Sequence, residues 1–321
     1  MIKRFSIIKR AYIWLIAGAM LLIGAWVLFF MNIRLSEEFT GGVKISITDL
    51  KQQTELKQAL TDDLTKKNYL NTNVSLENGA KTTDISIRTK VESDEKVNEL
   101  SKEIKKFLID GKYISSTDQI IAQSITGPSV GDYMQKTARN ALLIGLALMA
   151  IYMMFSFATI RKSVSPSVLA MVTIATMIFD ISIPAGAYGF LMMINSSITI
   201  DTVFIIAVLT NMGYSINDTI IIFDRIRENI QNKNEKNIVY GKIFDDSLRQ
   251  TMRRSLGTVL CTFLVIVCMY IFGTGAVKDF AFTIGIGVLA WSYSSIFIAW
   301  PLAYLLMGKY KKERKAMIEN N

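Results

Sequence analysis

Six long apolar stretches, one polar insert and a one-sided distribution of Lys and Arg predict an α-helical membrane protein. It has six transmembrane helices and one small extracytoplasmic α+β domain. The chain has 321 residues, 51% of them hydrophobic, which is too apolar for a soluble chain of this length. A spanning helix needs about 20 residues at ~1.5 Å each. The stretches that meet this are Tyr12–Met31, Ala141–Ile160, Val164–Met192, Ile198–Phe223, Leu256–Val277 and Phe280–Met307. The first follows Lys3, Arg4, Lys9 and Arg10 and runs into Asn32-Ile33-Arg34 without a small-x-small cleavage pattern, so it reads as an uncleaved anchor.

The polar insert follows that anchor. Gly42–Thr48 alternates as a strand, and Asp49–Lys67 reads as a helix with Leu50, Leu56, Leu60 and Leu64 on one stripe. Thr72–Leu76 and Thr82–Thr89 read as strands. Ser93–Leu108 reads as a helix opened by a Ser-Asp-Glu cap, with Val97, Leu100, Ile104 and Phe107 on one face, and Gln119–Ile125 closes as a strand. The order β-α-β-β-α-β is that of a ferredoxin-like split βαβ unit. The chain thus divides into 1–34 (cytoplasmic N-terminus and first span), 35–126 (extracytoplasmic domain), 127–307 (five further spans) and 308–321 (basic cytoplasmic tail).

Orientation follows from the basic residues. With the N-terminus cytoplasmic, segments 1–11, 161–162, 224–255 and 308–321 carry a large excess of Lys and Arg. Residues 32–140 and a turn at Lys278-Asp279 balance to zero. Both termini are expected in the cytoplasm, with residues 35–140 outside a cytoplasmic (inner) membrane. The formal charge of +9 is then a topology signal with contact to anionic lipid or a ribosome-facing partner, not a nucleic-acid footprint.

Histidine is absent, and the two cysteines, Cys261 and Cys268, both lie in an apolar run. A histidine-based acid–base site, a Cys/His metal site and a disulfide framework are excluded on inventory; no cofactor or metal and no enzymatic role is expected. Gly273, Gly275, Gly285 and Gly287 read as helix-packing positions.

Charges inside spans carry the functional signal, because each costs at least ~2.5–3.5 kcal/mol on insertion scales. Asp218 lies near the polar end of the fourth span. Asn211, Tyr214, Ser215 and Asp218 share one helix face at i, i+3, i+4, i+7. Arg253 and Arg254 open the fifth span at the same membrane side, with Thr258 and Thr262 following, so Asp218 and Arg254 are placed to pair. Two readings stay open. The pair neutralises two charges and fixes packing, or Asp218 takes up and releases protons while Arg254, which keeps its charge, sets its proton affinity. Asp180, shortly before Pro184 in the third span, either joins that network or makes an interhelical hydrogen bond. Asp201 starts the fourth span where a charge is cheap.

The run Gly213-Tyr214-Ser215-Ile216-Asn217-Asp218-Thr219, continuing through Asp224-Arg225-Ile226-Arg227-Glu228-Asn229, resembles the signature of the SecF family. Phe39-Thr40-Gly41-Gly42, Gly127-Pro128-Ser129-Val130-Gly131 and the segment Ser247 to Leu256 agree in order and spacing. The resemblance implies a partner of SecD that assists the SecYEG channel, with SecA and YidC/YajC in the wider complex. It also implies use of the proton gradient to move a translocating polypeptide, and kinship with the resistance-nodulation-division transporters. It implies that Asp218 and Arg254, with Tyr214 and Asn217 in the Gly213–Thr219 segment, form the proton-coupling site. The chain departs from the family in having Phe179 in place of a His before Asp180, and Ser156-Phe157-Ala158 after the second span. The competing classes are a passive scaffold and half of a proton-driven solute exporter; the small single domain argues against the exporter.

Overall fold

The hydropathy pattern is realised as six membrane-length helices with an α/β insert after the first. The computed structural model describes residues 10–48, 50, 53–67, 69, 72–78, 82–89, 93–158, 165–195, 197–231 and 240–306. Helix α1 is Ala11–Asn32 and is followed by a single turn, α2 (Glu37–Thr40). The insert then runs β1 (Gly42–Thr48), α3 (Gln53–Lys66), β2 (Asn73–Asn78), β3 (Thr82–Arg88), α4 (Asp94–Asp110) and β4 (Ile120–Thr126). The spans after it are α5 (Pro128–Ser156), α6 (Pro166–Ile194), α7 (Thr202–Gln231) and α8 (Tyr240–Phe272). The last comprises α9 (Ala276–Tyr293), a π-helical stretch Ser294–Ala299 and α10 (Trp300–Leu306). Six of these helical segments are long and apolar enough to cross a membrane.

The insert forms a four-stranded antiparallel sheet in the order β2-β3-β1-β4. Alternation decides its layers. Val43, Ile45, Ile47, Ile85 and Ile87 point to one side, where Leu56, Leu60 and Leu64 of α3 and Val97, Leu100, Ile104 and Leu108 of α4 complete an aliphatic core. Lys44 and Asp84, on the other face, pair at 3.7 Å. Ser93 caps α4, accepting from the Lys96 N–H at 3.4 Å. The stripe of α4 runs on to Leu108 (fully buried), with Phe107 packed at its margin against Tyr113.

Several span boundaries differ from the hydropathy reading, for a common reason. Hydropathy marks where lipid would begin, and a helix can begin earlier. Helix α5 starts at Pro128, whose missing N–H is harmless in a first turn, and carries polar residues before Ala141. Helix α8 starts at Tyr240, well before Leu256, and α7 continues to Gln231. The turn expected at Lys278-Asp279 is displaced: the chain turns at Gly273-Thr274-Gly275, where Gly275 has φ +53°, and Lys278 and Asp279 lie in the first turn of α9. Two of the four glycines read as packing positions are therefore turn residues. Residues 159–164 and 307–321, including the ends Ile160, Val164 and Met307 and the basic tail, lie outside the described residues.

Two glycine-containing motifs, far apart in sequence, meet where the domain joins the spans. A Cβ on Gly131 would sit 2.7 Å from the Phe39 carbonyl, and Gln135 donates to that carbonyl at 2.7 Å. Gly41, at φ +83°, ends α2, and a Cβ on Gly42 would lie 2.2 Å from the Ile87 carbonyl. The joint is tightened by Leu35 and Ile200: Ser36 N–H donates to Ile200 at 2.9 Å, and Ile200 N–H to Arg34 at 2.8 Å. In the bundle, α1 lies directly on α6, where Gly186 and Gly189 leave room only for the backbone of Ala25 and Leu28.

Candidate functional site

The interior of the bundle is polar where α6, α7, α8 and the last span meet. Helix α7 supplies Asn211, Ser215 and Asp218 from one buried face, and α6 supplies Asp180. The last span supplies Ser294 and Ser295, which open its π-helical stretch. Helix α8 contributes Ser247, Thr251 and Ser255, each four residues from the next and all buried.

Asp218 is 6% exposed and is held by hydroxyls from two other helices. Ser255 lies 2.6 Å from both Oδ1 and Oδ2, and Ser295 Oγ lies 2.8 Å from Oδ2. Ser295 Oγ is also 2.7 Å from the Trp291 carbonyl, one turn back in its own helix. A serine has one hydroxyl proton, so Ser295 cannot donate to both oxygens. With a proton on Asp218 the chain is complete: the acid donates to Ser295 and Ser295 donates to Trp291. With no proton on Oδ2, Ser295 donates to the carboxylate and gives up its bond to the Trp291 carbonyl, which keeps its bond from the Ser294 N–H. This happens at a π-helical stretch, where the backbone ladder is already irregular.

Asp180 forms a second, neighbouring cluster. It is 1% exposed and accepts from Ser215. Its Oδ1 is buried without a partner. Of the adjacent serines in the last span, Ser295 reaches Asp218 and Ser294 bonds the Trp291 carbonyl at 3.2 Å. Asn211 packs against Gly287, where a Cβ would lie 1.8 Å from its Nδ2, and it donates to the Thr283 carbonyl at 3.3 Å. Gly287 is therefore the packing glycine that the sequence suggested. Asp201 caps α7, accepting from the Phe204 N–H at 2.8 Å.

The placements of the other three expected site residues differ from the pairing read in the sequence. Arg254 is exposed and lies more than 4 Å from any carboxylate of Asp218; Ser255, the next residue, takes the inward position. Successive helix residues are about 100° apart, so only one of the two can face α7. Asn217 is exposed, and Tyr214 is half-exposed with its ring 4.9 Å from that of Trp291. Tyr214 and Asn217 are thus exposed on α7, and Arg254 on α8. A Cβ on Gly213 or Gly257 would meet nothing within 4 Å. Sequence reasoning missed Ser255 and Ser295. The spacing of Ser247, Thr251 and Ser255 was a readable signal; nothing local marks Ser295.

Among the described residues no group of three or more Cys, Asp or Glu is placed to hold a metal ion. The fold and this interior define a polytopic membrane protein with two hydroxyl-held carboxyls sealed inside its helix bundle. The chain belongs to the SecD/SecF family of protein export membrane proteins, whose C-terminal model matches residues 110–309. It is 30% identical over 308 residues to the protein translocase subunit SecF of Calditerrivibrio nitroreducens, covering 95% of this chain and 94% of that one. It is 29% identical over 313 residues to the protein translocase subunit SecDF of Bacillus subtilis, covering 96% of this chain and 39% of that longer one. The crystal structure of Thermus thermophilus SecDF, a translocon-associated membrane protein, superposes with a TM-score of 0.77 at 25% identity, over 96% of this chain and 39% of that one.

Proposed function

We propose that this chain is the SecF-type accessory subunit of the Sec protein translocase, working with a SecD partner and drawing on the proton motive force to complete export. The observation that carries the proposal is Asp218, a carboxyl buried in a span, held by Ser255 and Ser295 and, among the described residues, in no ion pair. Adding or removing its proton changes the bonding of Ser295 and hence of the last span. One charge crossing 100 mV supplies ~2.3 kcal/mol, enough to bias a modest helix movement. Asp180 is a second buried carboxyl nearby, bonded by Ser215 of the helix that carries Asp218.

The partner reading rests on exposed polar residues of α7 and α8. Tyr214, Asn217 and Arg254 are polar groups on spans whose other exposed residues, such as Leu256, Leu260 and Leu264, suit lipid. SecDF relatives carry a second half in the same chain. We place SecD against these residues, with Arg254 brought to the site as the halves close. SecYEG, SecA and YidC/YajC belong to the wider assembly, and the translocating polypeptide meets the α/β domain. The Lys and Arg distribution supports termini in the cytoplasm and the domain on the far side.

The test is export of a secreted precursor by cells carrying Asp218→Asn at matched membrane abundance. The amide keeps shape and hydrogen bonding but carries no titrating proton. We expect at least a tenfold loss of the export rate, with the remainder insensitive to collapsing the proton gradient. Wild-type export overturns the proton reading and leaves a passive scaffold.

A further inference from the structure

Two adjoining cavities lie at the domain side of the bundle, away from the buried carboxyls. One, of about 640 Å³, is a groove between α1 and α5 floored by α6 and α7, with Trp26, Phe29, Phe30, Leu142, Ala185 and Phe204 on its walls. Its volume falls in the range of ligand pockets, about 300–1,000 Å³. Its mouth carries Lys136 and Arg139, both exposed on the polar first turns of α5. The second, of about 600 Å³, continues upward beneath the sheet and is lined by Arg34 and Arg88, with Asn73, Thr40 and Thr89. Leu35, Phe39, Asp132 and Gln135 line both.

The upper cavity holds unused donors. Arg88 is 7% exposed, donates to the Leu35 carbonyl at 3.3 Å and to Asn73 at 3.2 Å, and keeps a buried Nε without a partner. Arg34 commits one bond, to the Met192 carbonyl at 3.0 Å. Each guanidinium has five N–H donors. Burial pushes the Arg88 guanidinium below its ordinary proton affinity, and the nearby Glu37 carboxylate opposes this. Among the described residues Arg88 bonds no carboxylate, and its planar fork suits an oxyanion such as a phosphate. Four cations against the single carboxylate Asp132 line the two cavities, and an apolar groove runs directly below them.

We propose that this composite cavity binds one anionic phospholipid from the leaflet on the domain side. The phosphate sits between Arg34 and Arg88, Lys136 and Arg139 guard the mouth, and one acyl chain fills the groove beside Trp26 and Phe204. The lipid would bridge α1, α5 and the base of the sheet, at the joint through which any domain movement must pass. The site stands independently of the proton reading.

The test is native mass spectrometry of the full chain released from bilayers of equal phosphatidylglycerol and phosphatidylcholine. We expect a bound phosphatidylglycerol at no less than fivefold over phosphatidylcholine. Ala138→Phe, which fills the groove, should abolish retention of both lipids, and Lys136→Gln with Arg139→Gln should cut the preference at least threefold. Arg88→Gln should remove it; Ala138→Phe keeps the test sound if that variant fails to fold. Equal retention of the two lipids, or retention unchanged by Ala138→Phe, overturns the proposal. Displacement of the lipid by millimolar inorganic phosphate alone, or its loss when SecD is co-purified, also overturns it, assigning the cavity to a free anion or to the partner.

Discussion

The α/β domain and the helix bundle differ in what they bury beside their apolar cores. The domain buries Ile, Leu and Val and turns Lys44, Ser86 and Asp84 to solvent. The bundle buries Thr173, Thr176, Asp180, Ser215, Asp218, Ser255 and Ser295 and exposes Phe155 (77%) and Leu260 (59%). The difference teaches that "buried" carries no fixed chemistry. In water, apolar burial drives folding. Between lipid tails that drive is missing, so close backbone approach and shared hydrogen bonds hold helices together, and the interior is free to be polar. The bundle keeps two carboxyls, Asp180 and Asp218, at its centre, each still costly to place in a span, whereas the core between the sheet and its two helices is aliphatic.

The sharpest way to break the comparison is at the α1–α6 contact. Gly189→Val places atoms against the Leu28 carbonyl, where a Cβ already lies 2.4 Å away, and backbone cannot swing aside as a side chain can. We expect loss of the folded bundle, read as near-complete loss of membrane abundance, with Gly24→Val, which has open space, unaffected. Next comes the domain core. Leu100→Ala empties a fully buried site and should cost about 3 kcal/mol, read as faster protease cleavage within residues 35–126 while the spans stay intact.

A smaller effect is expected from Ser295→Ala, which removes the hydroxyl shared by Asp218 and Trp291 but leaves the charge pattern alone. Export should fall three- to tenfold with a shifted pH profile, and Ser295→Thr should restore it. An unshifted profile would make Ser295 a packing residue. Smallest of all is Thr176→Val. Its hydroxyl bonds only the Val172 and Thr173 carbonyls of its own helix, at 3.1 and 2.9 Å, so thermal stability in detergent should move by less than about 1 kcal/mol. A large loss there would mean that polar burial in the bundle stabilises the fold in the way apolar burial does in the domain.

Much of this was readable beforehand. The strand β1 and the βαββαβ order follow from period-two alternation and from the stripes of α3 and α4, because each residue's environment there is set by its near neighbours. The α7 face read as Asn211, Tyr214, Ser215 and Asp218 was readable on the same ground, although Tyr214 is half-exposed while the other three are buried. The partner of Asp218 was not. Charge suggested Arg254, yet α8 presents Ser255, on the same face as Ser247, which accepts from Asn229 of α7, and with Leu248 packed in the bundle's core. The π-helical stretch that aims Ser295 at Asp218 likewise has no mark in its own residues.

The sequence alone determined the number of spans, the existence and topology of the α/β domain and the identity of the buried acids, since these depend on hydropathy and local periodicity. Tertiary structure decided which hydroxyls hold the acids, that Arg254 stays outside, and that Phe39 meets Gly131 above a cavity lined by Arg34 and Arg88. Those outcomes depend on how six helices rotate and approach one another, a property of pairs of surfaces that no single segment encodes.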